Sequence, residues 1–287
     1  VGTHLKFYIS NVGNYNDVTP IRATVSLSNP FTTVSGSAVV TVADSNGGYQ
    51  DGDYVTFSNA SAVGGLTIDG EFVVSLSVTT TAGTYNITAA SNATSSATGG
   101  GTVSAAYQIN VGNPFAVPIE GWGASSWGSG AWNVGESSTT EIRFFSQSNF
   151  GEDLIFGNNG GSIFYWDATG SVTTRAVLLS TLSGASDVPV IQNLILVSDI
   201  SRFVFCFGTN EIGSNTIDPT LLRWSDQEDA TNWTPSATNQ AGSLRLSRGT
   251  KIVAASQARQ EVLVWTDSSL YSLQYVGAPA VWAATLV

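Results

Sequence analysis

Few residues in this chain have the types and spacing that chemistry requires. Cys206 is the single cysteine and sits in the apolar run Phe203-Val204-Phe205-Cys206-Phe207, so no intramolecular disulfide and no cysteine-based zinc site can form. The run reads as core, and the thiol as a small buried side chain. His4 is the single histidine. That excludes a multi-histidine metal centre, and a Ser-His-Asp triad would have to recruit this one residue near the start of the chain. Asp44-Ser45-Asn46-Gly47 and Asp51-Gly52-Asp53 carry oxygens of the kind calcium takes, yet the ligand spacing and terminal Glu of an EF-hand are missing. Their composition reads as turns. No Walker or dinucleotide glycine pattern follows a strand and opens a helix. The expected catalytic, cofactor-binding and metal-binding residues are therefore none, and the chain is read as a non-enzyme.

The remaining candidates concern binding. Trp122, Trp127 and Trp132 recur at intervals of five within the stretch Gly121 to Trp132, a spacing that would alternate faces on a regular strand and so favours a Gly-rich loop. Exposed tryptophan is enriched at binding hot spots, which makes the three a candidate interface with a neighbouring subunit or a ligand; the alternative is packing of the rings on the glycine backbone. Four N-x-[S/T] sequons, at Asn59, Asn86, Asn92 and Asn232, are what chance supplies in a chain this rich in Asn, Ser and Thr.

Composition narrows the class. The 287 residues are 42% hydrophobic but only 11% charged, with Gly, Ser, Thr, Asn and Val dominant. That balance favours an all-β fold with many turns and enough core for one large or two medium domains. No apolar run approaches the ~20 residues that a membrane-spanning helix needs, and the N-terminus carries no basic-then-apolar signal segment. The chain begins at Val1, contains no methionine and stops at Val287 within an apolar run, and is read as a fragment of a longer product. Ten basic residues against 21 acidic ones give a net charge of −11, the wrong sign for gripping a phosphate backbone.

Strands come in two kinds. Residues 1–31 and 113–287 hold aromatic strands joined by Gly/Asn turns. Three hairpin-like units are expected: Asp153–Phe156 with Ser162–Asp167, then Val190–Val197, Phe203–Phe207 and Leu221–Trp224, then Lys251–Ala255, Glu261–Thr266 and Leu270–Tyr275. Strand ends at Trp166, Trp224 and Tyr271 lie 58 and 47 residues apart, close to the ~40–50 residues of a four-stranded propeller blade. In residues 32–112 the aromatics thin out and short strands take over at Ala38–Val42, Tyr54–Phe57, Glu71–Val78, Tyr85–Ala89 and Val103–Ile109, which predicts an inserted small β-barrel or sandwich. Similar turns, Asn29-Pro30-Phe31 and Asn113-Pro114-Phe115, flank it. The predicted fold is an all-β, incomplete β-propeller, in which residues 1–22 begin a further blade.

The stretch Leu221 to Gly277, with RWSDQEDATNWTP followed by a basic-apolar strand and the hairpin WTDSSLYSLQYVG, resembles one blade of the propeller in tail nozzle (tail tubular) proteins of short-tailed bacteriophages. The segment GSAVVTV…DGDYVTF…VGGLTIDGEFVV…TYNITAA…GGG resembles a module found as an insertion in phage tail proteins. The resemblance implies a virion structural protein. It implies a homo-oligomeric ring of six copies below the portal and an adaptor protein, with tail fibres or a plug as further partners and no membrane. Double-stranded DNA would pass through its channel without specific binding during ejection. An alternative is a carbohydrate-binding propeller or adhesin that recognises host surface glycans through the Trp-rich loop. Ser225 to Trp233 also resembles the Asp-box turn of sialidases, but it lacks the glycine of that turn and occurs once. Arg175, Arg202 and Arg223 have no spacing that would gather them on a substrate carboxylate.

Overall fold

Alternating apolar and polar residues set this chain into strands wherever it is ordered by pairing. The computed structural model describes residues 2, 6–46, 49, 51–76, 82–109, 144–199 and 201–287. Among them are 22 strands and one three-residue 3₁₀ turn, Leu179–Thr181. The chain divides into two units, Thr19–Asn110 and a second one assembled from Val1–Val18 and Val111–Val287.

A hairpin opens the larger unit: β1 (Tyr8–Asn11) and β2 (Asn14–Asp17), with Asn11 opposite Asn14. Its two-residue turn, Val12-Gly13, has positive φ at both positions (48° and 81°), the mirror-image geometry that suits the twist of a hairpin. Phe7 leads into it, stacked on Phe156 at 4.1 Å and edge-on to Phe145 at 4.8 Å. The return strand ends at Asp17, and β3, from Ile21, belongs to the other unit.

The smaller unit contains β3 (Ile21–Ser28), β4 (Phe31–Thr33), β5 (Val39–Ala43), β6 (Tyr54–Ser58), β7 (Gly70–Val73), β8 (Thr84–Thr88), β9 (Ala97–Gly99) and β10 (Thr102–Gln108). They form two four-stranded antiparallel sheets, β3-β10-β6-β7 and β8-β5-β4-β9. The first sheet contributes Leu27, Val55, Phe57, Val103 and Tyr107 to a core shared with Phe31, Val40, Val42, Tyr85 and Ile87 of the second, the arrangement of a sandwich. This unit starts at Thr19 instead of residue 32, because β3 pairs along β10 from Ser28↔Thr102 to Ile21↔Gln108. Asn29-Pro30-Phe31 is thus an internal corner: Asn29, at φ 47°, bonds Gly101 through both its N–H (2.7 Å) and its Oδ1 (3.0 Å). Asn113-Pro114-Phe115 lies outside the described residues.

A buried polar chain crosses the sandwich core. Tyr107 Oη donates to Asp44 Oδ2 at 2.7 Å and lies 2.8 Å from Tyr85 Oη, while Asp44 Oδ1 accepts the Asn46 N–H at 2.9 Å. Burial above all pushes both phenols well up from their ordinary 10.0, and Asp44 adds to the rise.

In the larger unit the strands continue as β11 (Phe145–Phe150), β12 (Asp153–Asn158), β13 (Phe164–Trp166) and β14 (Val177–Leu178), then β15 (Gln192–Val197), β16 (Val204–Asn210), β17 (Ile217–Trp224) and β18 (Gly242–Arg245), then β19 (Ile252–Gln257), β20 (Glu261–Thr266), β21 (Leu270–Gly277) and β22 (Val281–Leu286). Each set of four is an antiparallel meander in chain order, β11 to β14, β15 to β18 and β19 to β22. Four-stranded meanders repeated along the chain are the strand order of propeller blades. Strand β16 explains the run of sequence around Cys206. Phe203, Phe205 and Phe207 join Leu222 and Trp224 in a cluster with Val262, Val264, Leu273 and Trp282 of the third sheet. Val204 and Cys206 turn the other way, onto Ile155 and Ile163 of the first. A strand covered on both faces is apolar throughout instead of alternating.

First strands of successive sheets also meet. Ser146 Oγ of β11 accepts the Ile195 N–H of β15 at 2.9 Å, and Ser148 Oγ accepts that of Val197 at 3.1 Å. Hydroxyls of one sheet thereby satisfy backbone donors along the leading edge of the next.

Candidate functional site

The segment RWSDQEDATNWTP connects β17 to β18, and its functional-looking residues are engaged in holding that connection. Asp226 Oδ1 accepts the N–H groups of Gln227 and Gln240, both at 2.8 Å, and Asp229 Oδ1 accepts Thr231 N–H (2.8 Å) and Oγ1–H (2.6 Å). The second is an Asx-type turn, and the first ties the two ends of the connection together. Trp233 is buried with its Nε1–H on the Ala230 carbonyl at 2.8 Å, and Trp224 Nε1–H reaches the Gln240 carbonyl at 2.8 Å. Gly242 is required opposite Trp224, since a Cβ there would lie 2.5 Å from the indole.

Beside this connection a cleft of about 300 Å³ opens, with Arg223 in its wall. The strand places Arg223 between Leu222 and Trp224, and only 2% of its surface is exposed. Its guanidinium donates from Nη2 to the carbonyls of Asp187 (2.6 Å) and Trp233 (3.5 Å) and from Nη1 to that of Asn210 (3.3 Å), and it lies 6.0 Å from the Trp233 ring centre. Burial pushes its pKa down from the usual arginine value, against the pull of nearby Cys206 and Asp187; arginine stays charged regardless. Asp187 adopts a left-handed backbone, φ 48°, which presents its carbonyl to Arg223, while its carboxylate accepts Thr234 Oγ1–H at 2.6 Å. Val190 and Ile212 form an exposed apolar rim. Asn210 Oδ1 accepts the N–H groups of Val190 (3.0 Å) and Ile191 (3.3 Å), and its Nδ2 donates to the Ser214 carbonyl at 2.8 Å, which fixes the loop that walls the cleft.

The other sequence candidates fall elsewhere. Cys206 is buried, and burial raises its thiol far from the reactive range. Asp44 bonds Tyr107, Asp51 Oδ1 accepts the Leu76 N–H at 2.7 Å, and Asp53 pairs with Arg22 at 2.6 Å, so these carboxylates serve the sandwich. Among the described residues no group of three or more His, Cys, Asp or Glu is placed to hold a metal ion, and no helix is long and apolar enough to cross a membrane. Arg175 pairs with Asp17 at 3.2 Å and the Arg202 guanidinium lies 5.8 Å from the Phe150 ring centre, so the three arginines have separate surroundings. Trp122, Trp127, Trp132 and His4 lie outside the described residues. Sequence reasoning missed the convergence of Asp187, Asn210 and Arg223, whose only signal was a charged residue inside Leu221-Leu222-Arg223-Trp224.

With this geometry in place, the chain can be set beside a solved structure. Phage phi92 endosialidase is similar to 89% of this chain, at 16% identity and a TM-score of 0.28. The matched part is 40% of that structure's length. A TM-score this low carries no argument about function. No family model matches the chain, and no curated protein does.

Proposed function

We propose that the protein is a non-catalytic structural component of a bacteriophage tail, and more narrowly a subunit of a nozzle-type ring that extends the channel for genome ejection. The observation that carries this reading is the role of the segment on which the sequence resemblance rests. Its Arg223, Trp224 and Trp233 are buried, its Asp229 caps a turn and its Asp226 ties Gln227 to Gln240. These residues build the connection between β17 and β18 within the second meander. The three consecutive meanders support a propeller body, and the unit Thr19–Asn110, flanked by both segments of the larger unit, supports an insertion into it. Charge supports the channel. At −11 per copy, with Lys6 and Lys251 the only lysines, the chain offers few cations to hold phosphate.

Titrating the assembled protein with duplex DNA at low salt tests this. The reading expects no binding at micromolar concentrations; micromolar or tighter binding that weakens steeply with salt would overturn it. Glycan recognition, the alternative, was argued from Trp122, Trp127 and Trp132, which lie outside the described residues.

A further inference from the structure

We propose that the cleft at Arg223 is a binding site for a small monocarboxylate, with Arg223 as its anion-recognising group. This inference stands apart from the tail assignment and would hold for an isolated subunit.

The first support is the company Arg223 keeps. Three other arginines carry carboxylate partners: Arg22 with Asp53 at 2.6 Å, Arg175 with Asp17 at 3.2 Å, and Arg245 with Glu211 at 2.6 Å. Each of these is more exposed than Arg223, at 27%, 30% and 54% for the side chains. Among the described residues Arg223, at 2%, hydrogen-bonds only to carbonyl oxygens, and the Asp187 carboxylate attracts it from beyond ion-pair distance. In a chain whose acidic residues outnumber its basic ones, 21 to 10, the most deeply buried of these four cations is the one without a carboxylate within ion-pair distance. A buried charge with no carboxylate at ion-pair distance is costly, and a carboxylate entering from the cleft would supply one.

Asp187 shows how the arrangement is kept. It is the acidic residue closest in role to a partner, yet it gives Arg223 its carbonyl, through a left-handed backbone, and its carboxylate to Thr234. Three donors of the guanidinium are used on carbonyls, and a guanidinium has about five, so donors remain for an anion. Ser214 Oγ, also in the cleft wall, accepts the Thr216 N–H at 3.1 Å and has its own proton to donate.

Size and charge select the ligand class. About 300 Å³ is at the small end of ligand clefts, which suits a single sugar acid or a smaller molecule, and Val188, Val190 and Ile212 offer an apolar wall for its carbon skeleton. One cation with the Asp187 carboxylate nearby suits a single negative charge better than a phosphate dianion.

The test follows the Arg223 side-chain Nε–H resonance while the intact protein is titrated with sodium glucuronate, acetate, glucose and inorganic phosphate at matched ionic strength. Glucuronate and acetate should give saturable one-site shifts, glucose none, and phosphate weaker ones. Since replacing Arg223 removes three hydrogen bonds that hold the cleft wall, two other variants carry the decision. Ser180→Trp, at an exposed position on the cleft wall, should fill the cleft and abolish the shifts without changing Tm. Asp187→Asn retains a side-chain oxygen for Thr234 and a residue type that tolerates the left-handed backbone, and should tighten glucuronate by about threefold through loss of a like charge. Absence of any glucuronate shift, equal response to glucose, or an unchanged titration in Ser180→Trp would each overturn the proposal.

Discussion

Replacing Phe205 by Ala should break the contact between the second and third meanders. The ring is fully buried and lies 4.9 Å from Trp282 edge-on, 5.9 Å from Phe207 in a stack, and 6.4 Å from both Trp224 and Phe203. Its neighbours come from two sheets whose strands are fixed by their own ladders, so they cannot close around the void. The loss should therefore reach about 4 kcal/mol, within the ~3–5 kcal/mol usual for a buried Phe→Ala. For a unit of this size that is a fall in Tm of about 8–16 °C. The assay is selective, because all eight tryptophans lie outside residues 19–110 and tryptophan fluorescence follows the larger unit alone. Trp265→Ala is the control. Trp265 is half-buried and alternates with Val262 and Val264, which face the core, so it should cost only about 1–2 kcal/mol. A Phe205→Ala protein that melts within about 3 °C of the parent, or one less affected than Trp265→Ala, would refute the packing argument.

Four further outcomes follow from other contacts. Residues 19–110 expressed alone should unfold cooperatively, followed by tyrosine near-ultraviolet circular dichroism, whereas a 32–112 fragment lacking β3 should not fold; a folded 32–112 fragment would contradict the role of the β3–β10 ladder. Tyr107→Phe should destabilise that unit by about 1.5–3 kcal/mol, since it takes a charge-assisted hydrogen bond from buried Asp44. The raised phenols of Tyr85 and Tyr107 contribute stability that is complete below their unfolded value of 10.0 and is lost as pH rises above it, because the unfolded chain ionises first; spectrophotometric titration should find two tyrosines that ionise only on alkaline unfolding. Arg245→Ala should leave Tm unchanged despite two ion-pair partners, because the pair with Glu211 is exposed on both sides.

What the sequence disclosed follows the range of each interaction. Local patterns were legible: the aromatic runs became β12, β13, β16, β20 and β21, and the lone cysteine became core. Shorter fourth strands were not, since Val177-Leu178 has no periodicity of its own and pairs only because β13 offers an edge. The start of the sandwich was misplaced for a related reason. Ile21–Ser28 carries the same strand character as its predecessors, and only pairing with β10, some eighty residues later, assigns it. Arg223 was seen as an arginine without companions, but its carbonyl partners come from Asp187, Asn210 and Trp233, main-chain groups whose side chains announce nothing.

The claim of a ring-forming structural subunit is tested most directly by the mass and image of the purified, assembled protein. The account predicts a closed ring of identical copies, six by the sequence resemblance, around a hole wide enough for duplex DNA. A stable monomer across the accessible concentration range, or an assembly with no open axis, would contradict it.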